Sequence, residues 1–192
     1  MSTIVVIRKA GMGAICADTL TKWGTVKETA DYVLNHEKII QIGDTHIGIT
    51  GPATFKLILR DYFSETGSDA RLDNATNIFR AWNRLHRALK DRYFLLGEED
   101  KEDALESSRI DVLMLNKHGI FGVAAHRTVQ EFSRYYAFGS GADYALGSMY
   151  SLYDNPALSA EDIARYAIQA AAEFDDSTGL PIQCHTVKLA AN

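Results

Sequence analysis

The chemistry of this chain is predicted to begin at its second residue. The sequence opens Met1-Ser2-Thr3, and methionine aminopeptidase removes an initiator methionine when the next residue is small. Ser2 would then carry a free α-amine and a hydroxyl on neighbouring carbons, which places a base and a nucleophile in one residue. An α-amine titrates at about pH 8, so its neutral form can accept the hydroxyl proton under physiological conditions. Because many chains begin with Met-Ser, the rest of the sequence must decide whether this pairing is used.

The segments next to Ser2 predict a β-hairpin. Residues 3–9 are typical of a strand, the turn at residues 10–13 contains two glycines, and residues 14–17 return as a second strand that ends at Asp18. A strand that directly follows Ser2 would hold the chain end inside a sheet instead of letting it fray.

The rest of the chain alternates between groups of strands and pairs of helices. Further strands are predicted at residues 38–42, 46–50, 110–115, 120–124, 134–138 and 182–189, and residues 19–37 are predicted as loop with short strands. Helices are predicted to begin at Gly51-Pro52 and stop at Gly67, to begin at a cap on Asp73 or Asn74, to run from 142 to 153, and to begin at Ser159. This order predicts an α+β fold with sheets in the middle and helix pairs outside, in a single domain of residues 1–192.

Two further structural predictions concern the region between the helix pairs. The apolar face of the helix that follows Asn74 is predicted to consist of Ile78, Phe79, Trp82, Leu85, Leu89 and Phe94. The acidic stretch at residues 97–108 is predicted to be a solvated connection.

Composition limits the functions that the chain can have. Its 192 residues are 46% hydrophobic and carry a net charge of −5, which fits a soluble globular domain and argues against a nucleic-acid partner. No apolar run approaches the roughly 20 residues needed to cross a bilayer, and no signal region is visible, so a cytoplasmic location is expected. The sequence contains no metal-ligand spacing, cofactor motif or phosphate-binding loop. Cys16 and Cys184 are predicted to be buried free thiols.

Four separated stretches carry a resemblance to a known family. They are Ser2-Thr3-Ile4-Val5 with Arg8, Gly11 and Ala17-Asp18; Lys38-Ile39-Ile40 with Gly48-Ile49-Thr50-Gly51; Phe138-Gly139-Ser140-Gly141 with Tyr144-Ala145; and Asp175-Asp176-Ser177-Thr178-Gly179. In this order they resemble the β-type subunits of proteasomes and the HslV peptidase, which are N-terminal-nucleophile hydrolases. The resemblance covers nearly the whole chain and is strongest to the bacterial proteasome homologues of β-proteobacteria. It implies a four-layer αββα sandwich.

One spacing identifies which hydroxyl matches the family's nucleophile. In the family the nucleophile precedes the aspartate by sixteen positions; Ser2 precedes Asp18 by sixteen and Thr3 by fifteen. The resemblance therefore implies Ser2, provided that only Met1 is removed. Serine lacks the methyl group of the family's usual threonine, which restricts the side-chain rotamer, so a slower reaction or a looser site is expected.

The resemblance also implies roles for the other matched positions. Lys38 would lie beside the Ser2 hydroxyl and lower its pKa, Asp18 would pair with Lys38, and the Gly51 N–H would donate to the oxyanion. The amine would be oriented by Ser140, Asp175 and Thr178, and a moderately apolar pocket for the residue before the scissile bond would be lined by Thr21, Ile49 and Ala53. Taken singly, these residues are equally compatible with a surface ion pair, a helix-start turn and a polar loop.

A self-compartmentalising peptidase is the function that this resemblance implies. Such a subunit would assemble into stacked homomeric rings of about 12–14 copies in total and cleave peptides or unfolded proteins. A separate ATPase unfoldase would feed the rings, although no residue of this chain indicates one. No metal, cofactor, nucleic acid or membrane is implied. Two alternatives use the same fold, a small-molecule amidase or acylase and a non-catalytic ring scaffold, and the complete set of matched polar residues argues against the scaffold.

Overall fold

A computed structural model describes residues 2–66, 70–96 and 104–191 of the chain. The strands in these ranges are β1 (Thr3–Lys9), β2 (Met12–Ala17), β3 (Thr21–Trp23), β4 (Val26–Glu28), β5 (Ile39–Ile42), β6 (Thr45–Thr50), β7 (Asp111–Asn116), β8 (Gly119–Val123), β9 (Val129–Glu131), β10 (Tyr135–Gly139) and β11 (Gln183–Lys188). The helices are α1 (Thr54–Thr66), α2 (Ala75–Asp91), α3 (Ala142–Leu152) and α4 (Ala160–Phe174). The predicted order of strands and helices is confirmed, with ends shifted by a few residues.

Two antiparallel sheets form the middle of the molecule. The first has the strand order β10-β1-β2-β11 and the second the order β5-β6-β7-β8-β9, while β3 and β4 pair separately. Alternate residues of a strand point to opposite faces, so each sheet presents one apolar face to the other sheet. The buried residues between the sheets are Ile4, Val6, Ile15 and Ala17 from the first sheet and Ile39, Leu113, Leu115 and Ile120 from the second, together with Leu189.

Each sheet is covered on its other face by one pair of helices. Helices α3 and α4 pack on β1 and β2, where alanines of α4 such as Ala164 and Ala167 allow close contact. Helices α1 and α2 pack on the second sheet around Trp82 and Phe121. The result is the predicted αββα sandwich, and it places the start of β1, the end of β2 and the start of β5 near one another.

Two aromatic residues differ from the predicted apolar face of α2. The helix ends at Asp91, so Phe94 lies beyond it with a positive φ of 57° and is exposed. Phe79 follows the buried Ile78 by one position, which turns it about 100° around the helix axis and leaves it 46% exposed. The predicted helix stop at Gly67 and residues 97–103 of the acidic connection lie outside the described residues.

The prediction of free thiols was wrong. Cys16 and Cys184 are joined by a disulfide, and their Cα atoms are 4.1 Å apart. The two residues are direct partners across β2 and β11. Their separation of 168 positions in sequence gives no sign of this pairing, because it depends on the last strand returning beside the second.

Candidate active site

The side chains of Ser2 and Thr3 point in opposite directions. Ser2 lines a cavity of about 480 Å³, whereas Thr3 is fully buried. The Thr3 hydroxyl lies 2.6 Å from Thr178 Oγ1 and accepts a hydrogen bond of 3.1 Å from Gly141 N. Successive residues of an extended segment point to opposite sides, so Ser2, which directly precedes β1, faces the cavity and Thr3 does not. Met1 lies outside the described residues.

Strand β10 holds the start of β1 in place. Gly139 pairs with Thr3, and the next residue, Ser140, donates its backbone N–H to the Ser2 carbonyl at 3.0 Å. Gly139 has a φ of +107°, and a Cβ added to it would lie 1.7 Å from the Ser2 carbonyl oxygen. Glycine is therefore required here both for the backbone conformation and for the close approach of the two strands.

Asp18 and Lys38 form a buried ion pair next to this chain end. Lys38 Nζ donates to Asp18 Oδ1 at 2.7 Å and to the Leu20 carbonyl at 2.5 Å. The Asp18 carboxylate also accepts backbone N–H groups from Thr3 at 2.9 Å, Leu20 at 3.0 Å and Gly179 at 3.1 Å. Donors approach both carboxylate oxygens, and this arrangement suits the ionised form.

Burial acts on both members of this pair. It lowers the pKa of Lys38, an effect that the nearby Asp18 charge opposes. It also raises the pKa of Asp18, and the Lys38 charge and the hydrogen bonds act in the other direction. Each group therefore needs its partner to stay charged, and the two cannot be replaced independently.

A second polar cluster, formed by residues just before α3 and just after α4, lies next to the start of β1. Asp175 Oδ2 accepts hydrogen bonds from Ser140 Oγ at 2.7 Å and from Thr178 Oγ1 at 2.6 Å. Because Thr178 donates to Asp175, the Thr3 hydroxyl must donate to Thr178. Ser140 likewise uses its proton on Asp175, which leaves the lone pairs of its oxygen to accept from a nearby donor. The predicted amine-orienting residues are thus brought together, and Thr3 joins them.

The remaining predicted site residues line the same cavity as Ser2 and Lys38. They are Thr21, Ile49, Gly51 and Ala53. Gly51 lies at the end of β6 with a φ of +102°, a left-handed conformation that favours glycine. Five charged residues that were not predicted also line the cavity: Lys22, Glu37, Lys56, Arg109 and Asp111. The pocket lining is therefore more polar than the moderately apolar one that was expected.

Gln183 is a residue of this region that the sequence did not reveal. Its side-chain oxygen accepts the backbone N–H groups of Lys38 and Ile39, at 3.0 and 2.9 Å. No motif includes it, because it reaches the site from the last strand. Thr3, by contrast, could have been found from the alternation of side chains along β1.

Among residues 2–66, 70–96 and 104–191, no three His, Cys, Asp or Glu side chains come together as possible metal ligands. None of the helices described is both long and apolar enough to cross a membrane.

Comparison with known proteins identifies the family. No protein-family model matches the chain. A solved structure of Thiobacillus denitrificans BPH in complex with epoxomicin is 57% identical, with a TM-score of 0.93 over 98% of this chain and 100% of that chain. Another structure of Thiobacillus denitrificans BPH is also 57% identical, with a TM-score of 0.95 over 99% and 100% of the two chains. This chain belongs to the bacterial proteasome homologues.

The more distant comparison concerns the fold alone. The crystal structure of eukaryotic HslV from Trypanosoma brucei is 19% identical to this bacterial proteasome homologue, with a TM-score of 0.68 over 97% of this chain and 99% of that chain. The N-terminal-nucleophile hydrolase fold implied by the sequence is therefore confirmed.

Proposed function

We propose that this chain is a subunit of a ring-forming, self-compartmentalising peptidase in which Ser2, after removal of Met1, is the nucleophile. The observation that carries the proposal is the placement of Ser2 on the cavity with Lys38 beside it, while Thr3 is turned into the core. The Thiobacillus denitrificans relative binds epoxomicin, a proteasome inhibitor. Residues 1–192 form one peptidase domain, which acts in the cytoplasm once Met1 is removed.

The first step is acyl transfer to Ser2. The Ser2 oxygen attacks the peptide carbonyl carbon, and its proton passes through a water molecule to the α-amine of the same residue. The Lys38 ammonium lowers the pKa of the hydroxyl and disfavours protonation of the amine before the attack. Ser140, positioned by Asp175 and Thr178, accepts a hydrogen bond from the amine and orients its lone pair towards that water.

The backbone at Gly51 stabilises the negative charge that develops on the substrate oxygen. Its N–H donates to the oxyanion, and a donor of this kind contributes about 3–4 kcal/mol to the transition state. Collapse of the tetrahedral intermediate breaks the C–N bond, and the leaving amine takes the proton from the α-ammonium group. An ester on Ser2 remains, and water attacks it by the same route to release a carboxylic acid and restore the hydroxyl.

Assembly into stacked homomeric rings places this site inside a chamber. Apolar side chains on the outer surfaces of α3 and α4 support assembly, since Tyr150 is 79% and Phe174 68% exposed in the isolated chain. Access to such a chamber is limited to peptides and unfolded proteins. A separate ATPase unfoldase would be the partner that supplies them.

Intact mass before and after incubation with a peptide epoxyketone tests the proposal. These inhibitors close a ring with the amine and the hydroxyl of one terminal residue. We expect the mass of the chain without Met1 and one adduct per chain, together with hydrolysis of fluorogenic peptides. Ser2→Ala is the matched control, because it keeps the α-amine and removes only the hydroxyl.

Two results would contradict the proposal in different ways. A processed chain that forms rings in native mass spectrometry but neither binds the inhibitor nor cleaves peptides would indicate the scaffold. A processed chain that hydrolyses small amides without forming rings would indicate the amidase.

A further inference from the structure

The Gln183 side chain connects the edges of the two sheets at the start of β5, where Lys38 lies. Strand β5 is one of the two edge strands of the second sheet, and β11 is one of the two edge strands of the first. Lys38 directly precedes β5, and Gln183 is the first residue of β11, opposite Ala17 in β2. The end of β2 therefore presents Asp18 to the ammonium group of Lys38, and the start of β11, paired beside it, presents Gln183 to the Lys38 backbone.

The Gln183 amide takes the place of a missing neighbouring strand. Its Oε1 accepts from Lys38 N at 3.0 Å and from Ile39 N at 2.9 Å, and its Nε2 donates to the Ile39 carbonyl at 3.0 Å. These are backbone groups of a sheet edge, which otherwise require water or another strand. A primary amide can satisfy them because it carries an acceptor and donors in the same plane, as a peptide group does.

These hydrogen bonds fix the position of the Lys38 backbone, and therefore of the Cα atom that carries its side chain. On its other side the Lys38 backbone is held by one bond, from Ile49 N to the Lys38 carbonyl at 3.0 Å. Asp18 and the Leu20 carbonyl fix only the ammonium end of the side chain. With Gln183 removed, the Lys38 N–H loses its acceptor, and the first residue of the edge strand can shift.

The Gln183 amide also contacts one ring of a stacked histidine pair, His46 and His185. Because Oε1 faces two N–H donors, Nε2 must face His185 Nε2, which lies 3.2 Å away. His185 Nε2 accepts this hydrogen bond in the tautomer that carries its proton on Nδ1. The ring stacks on His46 with centroids 4.5 Å apart. The alternative amide orientation would place Nε2 against the N–H donors of Lys38 and Ile39, so these two donors exclude it.

We propose that Gln183 is a positioning residue for the peptidase reaction, which acts by fixing the backbone from which Lys38 reaches Asp18 and the cavity that Ser2 lines. The inference rests on the proposed function, because it needs Lys38 to act on a Ser2 nucleophile. Gln183 does not itself touch the reacting atoms. A displacement of about 1 Å in such a group is sufficient to lower a rate up to a hundredfold, and this sets the size of the expected effect.

The test is Gln183→Met, which keeps the length of the side chain and removes its hydrogen bonds. We expect kcat for peptide hydrolysis and the first-order rate of epoxyketone inactivation to fall about tenfold to a hundredfold, with KM changed about twofold or less because Gln183 does not line the cavity. The control is Gln41→Met on β5, the strand that follows Lys38. Gln41 is exposed, and within the described part of the chain its side chain bonds to the nearby Gly43 carbonyl alone, so both rates should stay at the wild-type values.

A conservative variant separates positioning from general stability. Gln183→Glu keeps an acceptor for the N–H groups of Lys38 and Ile39 but loses the donor to the Ile39 carbonyl. We expect its kcat to lie between those of the wild type and Gln183→Met, and it decides the question if Gln183→Met does not fold. The inference is overturned if kcat is unchanged in the folded variant, if only KM rises, or if Gln41→Met loses as much. A wild-type chain that is processed but inert would instead refute the proposed function.

Discussion

Lys38 Nζ lies 2.7 Å from Asp18 Oδ1, and only 10% of the lysine side chain and none of the aspartate side chain is exposed. The ion pair is thus enclosed by protein although it lies next to the cavity that Ser2 lines. Burying two charges is unfavourable unless each is fully hydrogen-bonded, and here the carboxylate has four donors. Burying the Lys38 ammonium next to Ser2 costs desolvation free energy, and the Asp18 carboxylate offsets that cost. Among the ion pairs of the described residues, Asp18 pairs with Lys38 alone.

Lys38→Met is expected to abolish peptide hydrolysis and to destabilise the fold by about 3–5 kcal/mol, because it leaves a buried carboxylate without its cation. The matched control is Lys22→Met. Lys22 also lines the cavity, but its partner Asp176 is 78% exposed, so a loss of about 1 kcal/mol or less is expected. Urea unfolding and peptide hydrolysis check both effects. Equal costs for the two variants would mean that burial does not distinguish the pairs.

Ser2 and Thr3 can be distinguished by removing one hydroxyl at a time. Ser2→Ala should abolish epoxyketone adduct formation and leave the urea midpoint unchanged. Thr3→Val should keep adduct formation but lower stability by about 1–3 kcal/mol, because Gly141 N and Thr178 Oγ1 lose their buried partner. Mass spectrometry and urea unfolding measure these quantities. Adduct formation that persists in Ser2→Ala and disappears in a folded Thr3→Val would place the nucleophile at Thr3.

The sequence predicted those parts of the site that lie in local motifs. The hairpin from Ser2 to Asp18, the strand after Lys38 and the turn at Gly139 each have a short-range pattern, and the structure places them as expected. Contacts made by the last strand could not be predicted, because pairing of β11 with β2 is a long-range result of the fold. Gln183 and the bond between Cys16 and Cys184 both depend on that pairing.

The aromatic residues of α2 show another limit of sequence patterns. Phe79 and Phe94 match helical spacing as well as Trp82 does, yet only Trp82 is buried. Spacing gives the period of an apolar face but not its width or the residue at which the helix ends. The acidic connection was predicted as solvated, and residues 104–106 are exposed, with Glu106 also paired to Lys90 and His86 at the surface.

Gly51→Ala is expected to lower kcat about a hundredfold to a thousandfold, because a change of the backbone at this residue moves the oxyanion donor. The φ of +102° disfavours alanine, and the added Cβ would lie 3.3 Å from the Arg109 carbonyl oxygen. Gly11→Ala is the control, since Gly11 also has a positive φ of 75° and no atom within 4 Å of the added Cβ. It should show a similar backbone penalty in urea unfolding with normal kcat. A normal kcat in Gly51→Ala would exclude its N–H as an essential donor.

The stability of the fold is expected to fall on acidification through the His46–His185 pair. Burial and, to a smaller extent, the proximity of His185 lower the pKa of His46 below its usual 6.5, so the folded state disfavours the protonated ring. As pH falls from about 7 through the unfolded-state pKa and towards the lower folded-state value, the unfolded chain binds the extra proton first, and the free energy of unfolding decreases.

His46→Phe tests this dependence, because it keeps a ring stacked on His185 and removes the titrating group. We expect the loss of stability between pH 7.5 and pH 5.5, measured by urea unfolding, to be smaller in the variant than in the wild type. Identical pH dependence of unfolding in the two proteins would show that His46 does not contribute to acid sensitivity.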